Sequence, residues 1–191
     1  MKKLLSVCLA AALMLFFAGA ADQPSKWAAG DVQNAIDAGI VPEALQSAYN
    51  APITRRDFCR LAVCLLPDAK ESKNITFTDT SDTDVLRLAS LGVINGKENG
   101  RFAPEDLLTR QEAAAMLYRM AGKGNIPLAK TMQLVPHVWN DRNVGTIGQA
   151  GYLAPWAREA ADFCYNTGVI SGVGDNCFDP NGDYTREQSM I

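Results

Sequence analysis

The chain has 191 residues, 18 Lys and Arg against 21 Asp and Glu, a net charge of −3, and 48% hydrophobic residues. That acidic balance argues against general binding of nucleic acid or anionic membranes, so an anionic ligand must be met by local positive charge. One histidine, His137, and five cysteines without a CxxC pair argue against a zinc site and against Ser-His-Asp or Cys-His catalysis. No metal, cofactor or catalytic residue is assigned.

Lys2 and Lys3 lead an apolar run from Leu4 to Phe17, and Ala18-Gly19-Ala20 supplies small residues at alternate positions. The pattern predicts a secretory signal over 1–20, too short to span a bilayer comfortably, so no stable membrane span is expected after its cleavage. Cys8 lies in this run without a small residue just before it, so no lipid anchor is read. Loss of the signal leaves 171 residues with 16 basic and 21 acidic side chains, a net charge of −5. Four cysteines remain: Cys59 and Cys64 point to different faces of one predicted helix, and export permits a Cys164–Cys177 bridge as the alternative to buried free thiols.

Beyond the signal the chain repeats itself. Gly39-Ile40-Val41, Gly92-Val93-Ile94 and Gly168-Val169-Ile170 form one set of strings, and each precedes a Thr-Arg string. Those are Ile53-Thr54-Arg55-Arg56-Asp57, Leu108-Thr109-Arg110-Gln111-Glu112 and Tyr184-Thr185-Arg186-Glu187-Gln188. Glycine precedes threonine by 15 residues in the first copy and 17 in the other two. Trp27 and Trp156 each lie 12 residues before their glycine, whereas the second copy has Thr80 there. Gly96 to Pro104 matches Gly172 to Pro180 as a glycine-bounded turn, an aromatic plug and a proline; the first copy carries Pro42 to Pro52 instead. Phe77-Thr78-Asp79 corresponds to Trp139-Asn140-Asp141. The expected units are 21–67, 75–122 and 138–191, with 123–137 as a linker.

Each unit therefore reads helix, turn, loop, helix. In the third, Pro155 to Thr167 is predicted helical, with Trp156, Ala160, Phe163 and Cys164 on one face and Gly168 as a left-handed cap. In the second, the helix from Thr109 carries Ala113, Met116, Leu117 and Met120 inward. Units this small bury little alone and must pack together, with Met116, Leu117, Leu61 and Leu65 in or near a shared core.

Thr54/Asp57, Thr109/Glu112 and Thr185/Gln188 have capping-box spacing, the first with a shorter acid. Arg55, Arg110 and Arg186 each take the first position of a second helix, where the macrodipole disfavours a cation. On that argument, removing Arg110 should scarcely cost stability. Two readings stand for the arginines: an anion bound beside the free N–H groups by a planar guanidinium fork, or an ion pair with an acid of a neighbouring repeat. Trp27 and Trp156 read equally as sugar-stacking platforms or core plugs, and Gly96 and Gly172 as turns or places where a ligand nears the backbone. A wall-glycan hydrolase would need paired carboxylates in a cleft, but Asp79 and Asp141 recur one per unit at helix lead-ins, where capping accounts for them.

Taken together, the Thr-Arg strings, the Gly-Val-Ile-x-Gly turns and the Phe/Trp-x-Asp starts resemble S-layer homology (SLH) domains, over nearly all of the chain from about Trp27. The resemblance implies a mainly α fold in which three helix-loop-helix repeats pack as a pseudo-three-fold prism around a central bundle of second helices. It implies binding of secondary cell-wall polymer or peptidoglycan-linked glycan, often pyruvylated, at a cell wall or S-layer surface, with other surface-layer proteins as further partners. Arg55, Arg110 and Arg186 would then face a ketal carboxylate, and Gly96 and Gly172 would line grooves. The third copy stops six residues after Thr185, which leaves its second helix short by about a turn and a half. The competing expectation is a surface assembly module without glycan affinity.

Overall fold

The computed structural model describes residues 23–70, 74–123, 136–137, 139 and 152–191. The secretory signal, most of the predicted linker, and Asn140 and Asp141 lie outside these residues. The described residues are mainly helical, with five α-helices and no strand beyond isolated bridges. The helices are α1 (Ala29–Asp37), α2 (Arg55–Cys64), α3 (Thr83–Ser90), α4 (Arg110–Lys123) and α5 (Arg158–Asn166). None of them is long and apolar enough to cross a membrane.

Capping chemistry fixes where the second helices begin. Thr54 Oγ1 accepts from Asp57 N–H at 3.1 Å, Thr109 Oγ1 from Glu112 N–H at 3.4 Å, and Thr185 Oγ1 from Gln188 N–H at 3.3 Å. Glu112 and Gln188 answer by accepting the backbone N–H of Thr109 and Thr185, each at 3.1 Å, which completes two capping boxes. Asp57, one methylene shorter, turns instead to Arg60 at 3.0 Å and Arg186 at 3.7 Å. Helix lead-ins differ from expectation too. Asp82 caps α3, accepting from Asp84 and Val85 N–H, whereas Asp79 accepts from Phe102 and Ala103 N–H, both at 2.8 Å. Asp79 thus pins the aromatic turn of its unit rather than a helix start.

Three hydrogen bonds join the units in a ring. Ile53 N–H donates to Tyr184 O at 2.8 Å, Tyr184 N–H to Leu108 O at 2.9 Å, and Leu108 N–H to Ile53 O at 3.0 Å. These residues immediately precede the three capping threonines, and their side chains are fully buried. The next bonds repeat the cycle: Arg55 N–H to Asp106 O, Arg110 N–H to Gly182 O and Arg186 N–H to Ala51 O. Backbone polar groups of connecting segments, costly to bury unpaired, are thereby satisfied by the neighbouring unit. Helix packing crosses units in the same sense, with α2 against α3, α4 against α5, and the end of the third unit against α1.

The first unit keeps a loop that the sequence comparison misses. Ala48, Ala103 and Asp179 share a positive φ of 50°, 58° and 55°. Each carbonyl accepts from the N–H three residues on, at Ala51, Asp106 and Gly182. Ser47-Ala48-Tyr49 therefore occupies the place of Phe102-Ala103-Pro104 and Phe178-Asp179-Pro180. What the first unit lacks is the aromatic plug, not the loop.

Four local expectations change. The segment from Pro155 splits into a three-ten turn, Pro155–Ala157, and α5; Ala160, Phe163 and Cys164 are buried, but Trp156 points outward, 57% exposed. Gly168 does cap α5 in the left-handed region, at φ 75°. Leu61 and Met116 are buried and Leu117 packs against the core, whereas Leu65, just past α2, is half exposed. The segment after Thr185 forms a three-ten turn, Glu187–Met190, rather than an α-helix. His137, assigned to the linker, packs with the third unit, its ring 4.3 Å from Trp139 and 3.9 Å from Tyr165. All four described cysteines are free, so no Cys164–Cys177 bridge forms.

Candidate ligand-binding grooves

The arginines do not point outward from their helix starts. Each reaches into the next unit. Arg55 is 3% exposed; its Nε donates to Phe102 O at 3.0 Å and its Nη2 to Asn95 O at 3.1 Å. Its guanidinium lies 4.6 Å from the Phe102 ring centre, and Nη1 pairs with Glu112 at 3.3 Å. Arg110, 4% exposed, repeats this on the third unit, with Nε to Phe178 O at 2.8 Å and Nη2 to Ser171 O at 2.7 Å. Arg186 closes the cycle on the first unit, with Nη1 to Ser47 O at 3.0 Å and Nη2 3.7 Å from Asp57. A planar fork suits two diverging carbonyls, which an ammonium could not hold in the same way. The opposition of the helix dipole is answered by these carbonyls and carboxylates, so the ion-pair reading is partly met within the fold.

The glycines are needed by the turn itself. A Cβ on Gly96 would lie 2.8 Å from both the Arg101 carbonyl oxygen and the Phe77 ring. On Gly172 it would lie 2.8 Å from the Cys177 carbonyl oxygen and 3.1 Å from the Trp139 ring. Phe77 and Trp139, the aromatic lead-ins, thus lie across the two turns and pack against Phe102 and Phe178, tilted at 5.4 Å and edge-on at 5.3 Å. The tight fit does not hide the turns from outside: Gly96 and Gly172 are both exposed.

Around each of these turns the three units supply one element apiece. Arg55 of the first unit, Gly96 of the second and Trp156 of the third line a groove of about 220 Å³. Arg110 of the second, Gly172 of the third and Trp27 of the first line another of about 330 Å³. Both tryptophans are largely exposed, Trp27 at 62%, which excludes the core-plug reading. They offer a flat apolar face beside buried polar donors, as small-ligand sites do. Around Arg186 the sequence provides no counterpart: Glu43 stands where Gly96 and Gly172 stand, Ser47 replaces the aromatic plug, and Thr80 replaces tryptophan.

Two residues that sequence reasoning passed over hold the tryptophans in place. Gln111 Oε1 accepts Ala154 N–H at 3.2 Å, two residues before Trp156. Glu187, itself buried, accepts Ser25 N–H and Ser25 Oγ–H, both at 2.8 Å, two residues before Trp27. Both occupy the position after the arginine, so the Thr-Arg string marks them once its full role is known.

The grooves also differ in charge. In the first, Glu112 shares its carboxylate between the Thr109 cap and Arg55, while Arg119 lines the same space and donates to Val93 O at 3.1 Å. Burial, and then the charge of Arg55, push Arg119 below the ordinary guanidinium range. In the second, Gln188 replaces Glu112, and Arg110 is the sole charged side chain among the described lining residues.

A family model described as S-layer homology domain matches residues 77–114 and 151–188, the cores of the second and third units. Among curated proteins, the chain is 35% identical to an amylopullulanase of Thermoanaerobacterium thermosulfurigenes over 114 residues, 52% of this chain and 6% of that protein. It is 26% identical to an endoglucanase of Bacillus sp. (strain KSM-635) over 140 residues, 72% of this chain and 14% of that protein. With exoglucanase XynX of Acetivibrio thermocellus it is 33% identical over 112 residues, 52% of this chain and 10% of that protein. The chain therefore spans only a small part of the relatives it matches. The repeated Thr-Arg caps, the glycine turns and the two family matches agree: this chain carries S-layer homology domains at residues 77–114 and 151–188.

Proposed function

We propose that the chain anchors a protein non-covalently to the bacterial cell wall by binding an anionic, pyruvate-ketal-bearing secondary wall polysaccharide in the two grooves. One observation carries this: the same triad of buried arginine, exposed glycine turn and exposed tryptophan assembles twice, each time from all three units. Tryptophan offers a stacking face for a sugar ring, and the positive groove offers a counter-charge for a carboxylate in an otherwise acidic chain. The relatives support a portable binding module, since the matched part is a small fraction of three enzymes named for polysaccharide cleavage. No catalytic role is proposed for the chain itself. The finer architecture belongs to the same reading: three units as a three-sided prism, supported by the closed ring of backbone bonds through Ile53, Leu108 and Tyr184. The proposed location is the cell surface, within reach of other surface-layer proteins.

The test is co-sedimentation with purified wall sacculi before and after chemical removal of their secondary polymer. Binding that disappears with the polymer, and that falls when Trp27 and Trp156 are both replaced by Ala, supports the reading. Binding that survives polymer removal, or no binding to either preparation, overturns it in favour of an assembly module.

A further inference from the structure

We propose that in the Arg55 groove the residue that meets the ligand's negative charge is Arg119, not the arginine of the Thr-Arg string. The inference rests on the anionic-saccharide reading above and adds the identity of the recognising cation.

Arg55 is committed. Nε, Nη1 and Nη2 each have a protein acceptor, a ring packs against the guanidinium plane, and the side chain is almost wholly buried. Glu112, 3.3 Å away, cancels its charge. Arg119 lies seven residues, about two turns, beyond Glu112 on α4, partly exposed, on the wall of the same groove as Trp156. Two guanidinium groups facing one concave space repel each other, and an anion between them relieves that repulsion. Lys97 stands at the rim, already paired with Asp106 at 2.7 Å.

Charge counting favours an anion in the first groove. In the first, Arg55 and Arg119 against Glu112 leave one positive charge once Lys97 and Asp106 cancel. In the second, the amide of Gln188 stands where Glu112 stands in the first, beside Arg110. Near Arg186 the described charges close: Arg186 and Arg60 face Asp57, and Arg60 also meets Asp82 at 3.5 Å. The Arg55 groove therefore suits a monoanionic sugar, and the Arg186 corner suits none.

The experiment uses the full chain carrying Trp27→Ala, so that the first groove is read alone. The probe is a monosaccharide bearing a 4,6-pyruvate ketal, titrated at low and at physiological ionic strength, with thermal melts in parallel. Arg119→Met should lower affinity about tenfold, the loss of one charge-assisted contact, and should abolish most of the salt dependence. Arg119→Lys should recover part of it. Adding Glu112→Gln to Arg119→Met should restore affinity, because it returns the groove to one positive charge, that of Arg55, while an amide keeps the cap, as Gln188 does. A purely structural Arg119 would lower the melting temperature and would not be rescued by Glu112→Gln. Unchanged affinity in Arg119→Met, or failure of the rescue, overturns the inference while leaving the groove reading intact. Absence of probe binding at both grooves of the unaltered chain overturns both.

Discussion

Set the corner at Arg186 beside the grooves at Arg55 and Arg110. All three arginines follow a capping threonine, and all three cross to the next unit to bind a carbonyl of its loop. Yet only two corners add a glycine turn and an exposed tryptophan. The recurring arginine is therefore a fastener between units, and the surroundings decide whether a fastened corner is also open to a ligand. In the third corner a carboxylate, Asp57, fills the position that an amide fills beside Arg110. On the proposed reading one repeat motif serves both stability and recognition, and neighbouring residues separate the two uses.

The strongest way to break that comparison is to remove a fastener. Arg110→Ala deletes two charge-assisted bonds and strands the buried Phe178 carbonyl, which should cost about 3 kcal/mol. Urea denaturation would measure it. This reverses the expectation from the helix dipole alone, which is worth a few tenths of a kcal/mol and is outweighed by the guanidinium's new partners. A loss below about 0.5 kcal/mol would show that Arg110 is not a fastener.

Next in size is Gly96→Ala. The added methyl meets a carbonyl oxygen and the Phe77 ring at 2.8 Å, so the turn or the aromatic must shift, at about 2 kcal/mol. Gly172→Ala should cost less, because its ring contact is looser, at 3.1 Å. Equal stability of wild type and Gly96→Ala would contradict the close packing of aromatic lead-in on turn.

Trp27→Ala and Trp156→Ala invert the pattern. Both rings are largely exposed, so each change should alter stability by no more than about 0.5 kcal/mol. Each should nonetheless weaken its own groove about tenfold, as loss of an aromatic anchor does. A large fall in melting temperature with unchanged binding would return the tryptophans to a core role.

The smallest expected effect is pH-dependent. The backbone N–H of Phe102, with lesser help from Ala103 and Arg101, holds the Asp79 carboxyl below its ordinary 3.8. A group whose folded pKa is depressed stabilises the fold above its unfolded value and loses that contribution as pH falls through the folded value. Asp79→Asn should flatten the part of the acid-denaturation profile below pH 3.8. An unaltered profile would show that the turn does not need the charge.

What could be read without the fold follows a physical divide. Caps, glycine stops and aromatic turns are local chemistry, and spacing alone located Thr54, Thr109, Thr185 and Gly168. The destinations of Arg55 and Arg110 were not legible, because Asn95 and Ser171 lie 40 and 61 residues away in the chain. Trp156 was misread as part of a buried face because its segment splits at Ala157 into two kinds of helix. The loop of the first unit was hidden by substitution of Ser47 for an aromatic residue. Ser47 lies seven residues before Thr54, as Phe102 does before Thr109 and Phe178 before Thr185, and counting back from threonine rather than forward from glycine would have found it. Arg119 escaped notice because it lies outside every repeated string.

The most direct measurement is the stoichiometry of a pyruvate-ketal saccharide on the full chain, read by isothermal titration calorimetry. The unaltered chain should bind two, Trp27→Ala one, Trp156→Ala one, and the double variant none, with all four proteins melting alike. A third site, or binding that persists in the double variant, would contradict the division of the corners into two open grooves and one closed fastener.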